Sequence, residues 1–323
     1  MKAPQWTEAT RVLDSAARIL LVTHLQPDGD AIGSLLGFGN ALRIRGRTID
    51  MAVDDGVPDF LRWLPGADTV KRGLTEGSWD VMVSLDSSDE ERSGDCGIYG
   101  RANSRLVINV DHHPSNTMFG DMHIVVPDAV STTEIVQDWL SRMGQSLTTE
   151  IAEPLLVGLV TDTLGFRTSN VTSRTLMLAQ ALLATGASLS TAVARTLNSK
   201  PYKSIALWKR VLSSVALDDG LISGMISRED WKAAGFDEAS DTGLVGYLIA
   251  TDEAKVAVVY KERADGQVEI SLRSKPGYNV STAAVSLGGG GHTQASGATI
   301  PGPLNTAQAR VEPTLRAVLL NGS

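Results

Sequence analysis

The first half of the chain contains four short apolar segments. They are residues 19–23, 49–53, 81–85 and 106–110, and segments with helical spacing, such as residues 31–45, lie between them. Short apolar runs that alternate with helices predict βα units and a parallel sheet. His24, Asp86 and Asp111 directly follow three of these runs. Because ligands bind at the carboxyl ends of parallel strands, this edge of the sheet is the predicted functional site.

The polar residues at these strand ends are candidate metal ligands. His24, Asp28 and Asp30 occur within the seven residues HLQPDGD, and the remaining candidates are Asp86, Asp111, His112, His113 and Asp162. Imidazole and carboxylate ligands without thiolate suit Mn²⁺, Fe²⁺, Co²⁺ or Zn²⁺ better than Ca²⁺. Four carboxylates and two imidazoles favour two ions that share a bridging carboxylate.

Each of these segments also has a simpler interpretation. Asp28 and Asp30, on either side of Gly29, can form a turn with a helix N-cap, and Asp162 can cap the residues after it. The segment from Asp111 to His113 can be an ordinary polar turn. Because several independent strand ends carry the same chemistry, the metal site is the favoured interpretation.

Composition limits the class of protein. Hydrophobic residues make up 42% of the 323 residues and charged residues 20%, which is typical of a soluble globular protein. No segment reaches the roughly 18 to 20 apolar residues that span a bilayer, and the N-terminus lacks the layout of a secretory signal. The single cysteine, Cys96, excludes an intramolecular disulfide framework. We therefore expect a cytoplasmic protein that does not contact membranes.

The net charge of −8 is unevenly distributed along the chain. An acidic protein is not expected to bind long duplex nucleic acid, which is itself a polyanion. Residues 163–217, however, contain seven basic and no acidic side chains. This stretch is either a solvated helical connector or a source of cations, Arg167 first among them, that face the phosphates of a short substrate.

The pattern changes after this stretch. Residues 215–217 and 221–226 flank an Asp-Gly turn and predict a hairpin, and residues 255–260 and 267–273 predict a second one. We predict an α/β protein with a mainly parallel sheet flanked by helices in the N-terminal domain, a smaller C-terminal α+β domain, and a cleft between them. The expected domains are residues 1–188 and 209–323, with a linker or hinge at residues 189–208.

The sequence motifs resemble those of the DHH phosphoesterases. The resemblance rests on HLQPDGDAIGS from His24, on Asp86 after a strand, on Asp111-His112-His113 and on Thr161-Asp162-Thr163. Arg273 and the segment GGGGHTQASG from Gly288 resemble the associated C-terminal domain in the nanoRNase and 3′-phosphoadenosine-5′-phosphate (PAP) phosphatase branch. The resemblance covers nearly the whole chain, and no ligand position departs from the family pattern.

The resemblance implies a role for each motif residue. His24, Asp28 and Asp86 would hold one divalent ion, and Asp30, Asp86, His112 and Asp162 would hold a second. Mn²⁺ is the favoured ion, with Mg²⁺ and Co²⁺ as substitutes. His113 would donate to a phosphate or leaving-group oxygen, and Asp111 would orient a histidine.

The C-terminal domain would then bind the substrate. Arg273 offers a planar fork that matches phosphate, and His292 adds another donor. The glycine run allows backbone N–H groups to approach an anion closely, and its members are Gly288, Gly289, Gly290 and Gly291. Arg167 is the candidate from the basic stretch.

The implied function is hydrolysis of short single-stranded oligoribonucleotides to mononucleotides, and of PAP to AMP and phosphate, by two-metal activation of a bridging hydroxide. The alternatives are a phosphodiesterase of cyclic or linear dinucleotides, a family II pyrophosphatase, a RecJ-like exonuclease and a non-catalytic nucleotide sensor. A RecJ-like enzyme is expected to need further domains, and a sensor is expected to lack a ligand. The resemblance also implies a homodimer.

Overall fold

The structure, a computed structural model, describes residues 4–237 and 242–322. The chain divides into two compact units, residues 1–199 and residues 200–323. Each unit is built on a six-stranded sheet with its own hydrophobic cores.

The first unit alternates strands and helices, as the sequence predicts. Its strands are β1 (Arg18–Val22), β2 (Thr48–Val53), β3 (Val70–Arg72), β4 (Trp79–Leu85), β5 (Ser104–Asp111) and β6 (Met122–Val125). Its helices are α1 (Trp6–Ser15), α2 (Gly29–Ile44), α3 (Gly94–Ala102), α4 (Thr132–Arg142), α5 (Thr149–Asp162), α6 (Ser173–Leu183) and α7 (Leu189–Thr196).

All neighbouring strands of the first sheet are parallel, in the order β3-β2-β1-β4-β5-β6. Ile19 and Leu21 of β1 join the core that includes α2 and α5, whereas Leu20 and Val22 join a smaller core with Cys96 of α3. Helices therefore cover both faces, which explains why the strands read as continuous apolar runs. The strand order reverses between β1 and β4, and such a switch point is where open α/β sheets bind ligands.

Close packing between α2 and α5 depends on glycine. A Cβ atom added at Gly33 would lie 2.5 Å from the carbonyl oxygen of Pro154 and 3.0 Å from the backbone nitrogen of Gly158, both in α5. A Cβ atom at Gly29 would meet the side chain of Thr161 at 2.4 Å. The two helix backbones can approach this closely only without side chains at these positions, and the approach brings the start of α2 to the end of α5.

The second unit contains a mixed sheet in the order β11-β12-β10-β9-β8-β7, and among its described residues the only parallel pair is β8 with β9. Its strands are β7 (Ala216–Asp218), β8 (Leu221–Ile226), β9 (Val256–Glu262), β10 (Gln267–Ser274), β11 (Gly290–His292) and β12 (Ala295–Pro301). Its helices are α8 (Tyr202–Val211), α9 (Arg228–Ala234), α10 (Leu244–Leu248), α11 (Val280–Ser286) and α12 (Leu304–Asn321).

Both predicted hairpins are confirmed. In the first, Asp218 of β7 pairs with Leu221 of β8 across a turn in which Asp219 and Gly220 have φ angles of 49° and 84°. Two positive φ angles match the twist of the flanking strands, which is why an Asp-Gly sequence favours this turn. The second hairpin joins β9 to β10 in antiparallel register.

The segment between the predicted domains is largely helical. The boundary between the two compact units, after residue 199, falls inside residues 189–208. Within that segment α7 lies in the first unit and α8 begins in the second, so the non-helical connection is confined to residues 197–201. Within the described ranges no helix is both long enough and apolar enough to cross a bilayer.

The packing of α2 on α5 predicts that replacing a glycine of α2 with alanine lowers the free energy of unfolding, which is the opposite of the usual effect within a helix. Gly33→Ala normally favours a helix by about 1 kcal/mol, but here the new methyl group would clash with two backbone atoms of α5. We expect a net loss of roughly 1–3 kcal/mol in the free energy of unfolding, as in other overpacked cores. Thermal or urea unfolding measures it. The matched control is Ser34→Ala, because Ser34 is buried in the same helix and its hydroxyl has no hydrogen-bond partner within the described chain. A Gly33→Ala variant as stable as the wild type would contradict the close approach.

Candidate metal centre

The predicted ligands meet at the carboxyl ends of three neighbouring strands. His24 lies two residues beyond β1, Asp86 directly follows β4, and Asp111 is the last residue of β5. Because β4 lies between β1 and β5 in the sheet, Asp86 stands between the other two. The structure therefore brings together all eight predicted polar residues of the first unit, namely His24, Asp28, Asp30, Asp86, Asp111, His112, His113 and Asp162.

The first ligand group consists of His24, Asp28 and Asp86, whose ligand atoms lie within 4.8 Å of one another. The His24 Nε2 atom is 3.6 Å from Oδ2 of Asp86, and its Nδ1 lies 2.7 Å from the carbonyl oxygen of Leu25. A contact of Nδ1 with a carbonyl oxygen fixes the ring and directs Nε2 toward an ion.

The N-cap interpretation of Asp28 is confirmed, and this role is compatible with the predicted role as a metal ligand. Its Oδ1 atom accepts hydrogen bonds of 3.0 Å from the backbone N–H groups of Asp30 and Ala31, so Asp28 is the N-cap of α2. A carboxylate has a second oxygen, and Asp28 also belongs to the ligand group with His24 and Asp86.

The second ligand group combines Asp30, His112 and Asp162. Asp30 lies in the first turn of α2, His112 follows β5, and Asp162 is the last residue of α5. The His112 Nε2 atom is 3.4 Å from Oδ2 of Asp162 and 3.9 Å from Oδ2 of Asp30. The glycine-mediated approach of α2 to α5 is what places these two carboxylates on the same imidazole.

The Asp86 carboxylate connects the two groups. Its Oδ1 is 3.7 Å from Nε2 of His112, whereas its Oδ2 faces His24. Asp86 has a φ angle of 61°, in the left-handed region that a residue with a side chain rarely adopts, and its backbone N–H donates to Val110 at 2.9 Å. Such backbone strain persists only where the surrounding structure holds it in place, and it is concentrated at functional sites.

The carboxylates of this centre repel one another. Asp30 and Asp86 are only 1% and 3% exposed. Burial, followed by the charges of Asp86 and Asp28, raises the pKa of Asp30 well above its usual value. Burial and the charge of Asp30 do the same to the pKa of Asp162. Buried oxygen and nitrogen ligands with excess negative charge fit divalent cations, which would remove this repulsion.

The histidines respond to the same charges. Burial disfavours the charged form of His24, but the hydrogen bond and charge of Asp86 outweigh it and raise the pKa of His24. Burial also acts against the charged form of His113, and the Asp111 carboxylate overcomes it and raises the pKa of His113 to about 9. Although burial alone would raise the pKa of Asp86, the hydrogen bond to His24 and the neighbouring imidazoles lower it.

His113 is held differently from the other two histidines. Its Nδ1 lies 2.7 Å from Oδ1 of Asp111, which is completely buried. The other oxygen of Asp111 accepts a 2.6 Å hydrogen bond from Nδ2 of Asn116. Asp111 therefore orients His113 and is itself oriented by Asn116, a residue that the sequence analysis did not identify.

The start of α4 also contacts the centre, which the sequence pattern does not predict. The backbone N–H groups of Thr132 and Thr133 donate to the two oxygens of Asp30 at 2.6 and 3.0 Å. The Thr132 hydroxyl donates to Oδ1 of Asp86 at 2.8 Å. The available signal was Ser131-x-x-Glu134, a capping-box pattern that marks a helix start but not what the helix faces.

The predicted phosphate-binding residues of the second unit lie on adjacent strands. Arg273 of β10 pairs with Ala295 of β12, which in turn pairs with His292 of β11. Directly paired residues project from the same face of a sheet, so Arg273 and His292 flank a small alanine side chain at a spacing of roughly 10 Å.

The glycine run adopts a backbone conformation that depends on glycine. Gly290 and Gly291 belong to the edge strand β11, and Gly288 and Gly291 have positive φ angles of 83° and 130°. At Gly289 a Cβ atom would lie 2.1 Å from the carbonyl oxygen of Gly297, so this close approach requires glycine.

Most cations of the basic stretch already contact other groups within their own unit. Its cations contact neighbouring carboxylates, aromatic rings or a carbonyl oxygen, as in the pairs Arg174–Glu134, Arg195–Trp63, Lys200–Thr242, Lys203–Phe236 and Arg210–Asp230. These contacts favour the connector interpretation for those five cations. Arg167 is exposed, and its Nε donates to the carbonyl oxygen of Leu164 at 2.7 Å.

Comparison with known proteins agrees with this geometry. Residues 18–159 match the N-terminal domain of the DHH family, and residues 222–317 match the DHHA1 domain. A curated protein of Thermus thermophilus, named bifunctional oligoribonuclease and PAP phosphatase NrnA, is 36% identical over 98% of this chain and 96% of its own length. A Streptococcus mutans protein, named as a probable enzyme of the same kind, is 29% identical over 87% of this chain and 88% of its own.

A solved structure supports the fold over nearly the full length. The exopolyphosphatase-related protein of Bacteroides fragilis superposes with a TM-score of 0.87 at 26% identity, and covers 97% of this chain and 95% of its own. Both domain matches and the full-length relative agree with the motifs at the strand ends. The chain therefore belongs to the DHH family of phosphoesterases.

Proposed function

We propose that this protein is a two-metal phosphoesterase that hydrolyses short single-stranded oligoribonucleotides to mononucleotides and removes the 3′-phosphate of PAP. The position of Asp86 is the main support for this proposal. Its two carboxylate oxygens face different histidines of one connected cluster of candidate ligands. The relative from Thermus thermophilus bears the name of both activities, which supports this choice of substrates.

We assign the ligands as the family motifs imply. His24, Asp28 and Oδ2 of Asp86 would hold one divalent ion, and Oδ1 of Asp86, Asp30, His112 and Asp162 would hold the other. Two such ions, when bound, lower the pKa of a water molecule and neutralise charge on phosphate oxygens. Mn²⁺ is our proposed ion because it accepts mixed imidazole and carboxylate ligands, and Mg²⁺ or Co²⁺ would substitute for it.

The other residues of the centre act on the substrate. Asp111 holds Nδ1 of His113, and we assign to Nε2 the donation of a proton to a phosphate or leaving-group oxygen. In the second unit, Arg273, His292 and the backbone of Gly288, Gly289, Gly290 and Gly291 would bind a terminal phosphate. Arg167 is proposed to contact a further phosphate.

Three further features belong to the proposal. The net charge of −8 supports the exclusion of long duplexes, because a polyanion would be repelled. A cytoplasmic location follows from substrates that arise from RNA turnover and nucleotide metabolism. The family resemblance implies a homodimer.

A substrate panel tests the proposed reaction. With Mn²⁺ present, we expect hydrolysis of linear dinucleotides and of PAP, rates that fall as RNA length increases from two to ten nucleotides, and no cleavage of duplex RNA. Chromatography of the products measures these rates.

Asp86→Ala should lower kcat by at least about 10²-fold, because it removes the carboxylate that both ions would share. Asp95→Asn, which changes an exposed carboxylate in α3, is the control.

The same panel separates the alternatives. Fastest turnover of pyrophosphate or of a cyclic dinucleotide would replace the proposed substrate. Tight binding of a dinucleotide without hydrolysis would identify a sensor and overturn the enzyme proposal.

Arg273→Ala tests the substrate-binding role of the second unit. Hydrogen bonds between charged groups contribute about 1.5–3 kcal/mol, so we expect KM for a dinucleotide to rise by roughly 10- to 150-fold. Mn²⁺ affinity should not change, since Arg273 is not one of the assigned ligands. Arg263→Ala is the matched control, because Arg263 lies in the same unit and pairs with Asp265 on the β9–β10 connection. An unchanged KM in Arg273→Ala would refute the assignment.

A further inference from the structure

The start of α4 contacts two carboxylates of the metal centre that are far apart in sequence. The helix begins at Thr132, after the N-cap Ser131, whose hydroxyl accepts the backbone N–H of Glu134 at 3.1 Å. Thr132 is completely buried. Its backbone N–H and its hydroxyl are directed at different carboxylates, those of Asp30 and Asp86.

The backbone contacts hold Asp30. The N–H of Thr132 donates to Oδ2 and that of Thr133 to Oδ1, so both oxygens of this buried carboxylate are fixed. Helix N-termini stabilise negative charge, and these two bonds act against the burial that raises the pKa of Asp30. Any residue except proline at position 132 supplies this backbone contact.

The hydroxyl contact is specific to the side chain. Some other threonine hydroxyls donate to a carbonyl oxygen one helical turn earlier, as Thr163 does to Leu159 and Thr196 does to Ala192. The Thr132 hydroxyl instead donates at 2.8 Å to Oδ1 of Asp86, which is 46 residues away. An O–H donor in this position fixes the rotation of the Asp86 carboxylate.

That rotation decides which histidine each oxygen faces. Oδ1 of Asp86 lies 3.7 Å from both Nε2 of His112 and Nδ1 of His113, whereas Oδ2 lies 3.6 Å from Nε2 of His24. Turning the carboxylate would remove one oxygen from each ligand group. Hydrogen-bond partners of metal-binding carboxylates orient them in this way.

Hydrogen bonds and ion pairs of Glu134 and Asp138 help to hold the start of α4. Glu134 accepts a 2.9 Å hydrogen bond from the backbone N–H of Val130, just before the helix, and pairs with Nε of Arg174 at 3.0 Å. Arg174 also pairs with Asp138, one turn further along α4. These contacts help to hold the start of α4, and they do not involve Asp30 or Asp86.

We propose that Thr132 is a positioning residue of the metal centre, whose hydroxyl orients the Asp86 carboxylate so that each oxygen serves one ion. This inference rests on the proposed two-metal function. Thr132 lies outside the sequence motifs that the chain shares with the family.

The experiment compares Thr132→Val, which keeps the shape of the side chain, with Thr132→Ser, which keeps the hydroxyl. The binding of Mn²⁺ to the full-length, metal-free protein is titrated by electron paramagnetic resonance of the free ion. We expect Thr132→Val to weaken binding by about 10- to 100-fold and to lower kcat more than it changes KM for a dinucleotide. Thr132→Ser should restore both. Thr196→Val is the control, because the Thr196 hydroxyl donates to Ala192 within α7 and Thr196 is not in the metal centre.

Two outcomes would overturn the assignment. One is Thr132→Val binding Mn²⁺ as tightly as the wild type, and the other is Thr132→Ser being as impaired as Thr132→Val. If Thr132→Val does not fold, Thr132→Ala provides the same comparison with Thr132→Ser. A wild-type protein that binds two Mn²⁺ ions but hydrolyses none of the substrates refutes the proposed reaction, whereas the metal titration still decides the role of Thr132.

Discussion

Buried carboxylates at the carboxyl ends of the first sheet repel one another. Asp30, Asp86 and Asp162 share the same small volume with His112, and the first two are almost completely buried. Such a cluster is costly without compensating charge. The protein supplies part of the compensation through backbone N–H groups, the Thr132 hydroxyl and the imidazoles, and divalent cations would supply the remainder.

Three features of the first unit contribute to that cluster. The strand order places Asp86 between the residues that follow β1 and β5. Glycines in α2 allow α5 to approach, so that Asp30 and Asp162 reach His112. The helix α4 then directs its N-terminus at the same point, where the helix dipole favours negative charge. The fold is thus arranged around one concentration of charge at the switch point of the sheet.

The sequence predicted the parts of this arrangement that depend on local pattern. His24, Asp86 and Asp111 directly follow apolar runs, and the parallel sheet that these runs form brings them together. Thr132 was not predictable in this way, because its role depends on a contact with Asp86 across 46 residues. Likewise, the hairpins of the second unit followed from turn residues, whereas the parallel pairing of β8 with β9 depends on how the intervening helices pack. The charge of the basic stretch was visible in the sequence, but its local partners, such as Glu134 for Arg174, were not.

The position of Asp86 between two cations is tested by anomalous diffraction from crystals grown with Mn²⁺. We expect two anomalous peaks, one in contact with His24, Asp28 and Asp86, and the other in contact with Asp30, Asp86, His112 and Asp162. A single peak, or two peaks that do not share Asp86, would contradict it.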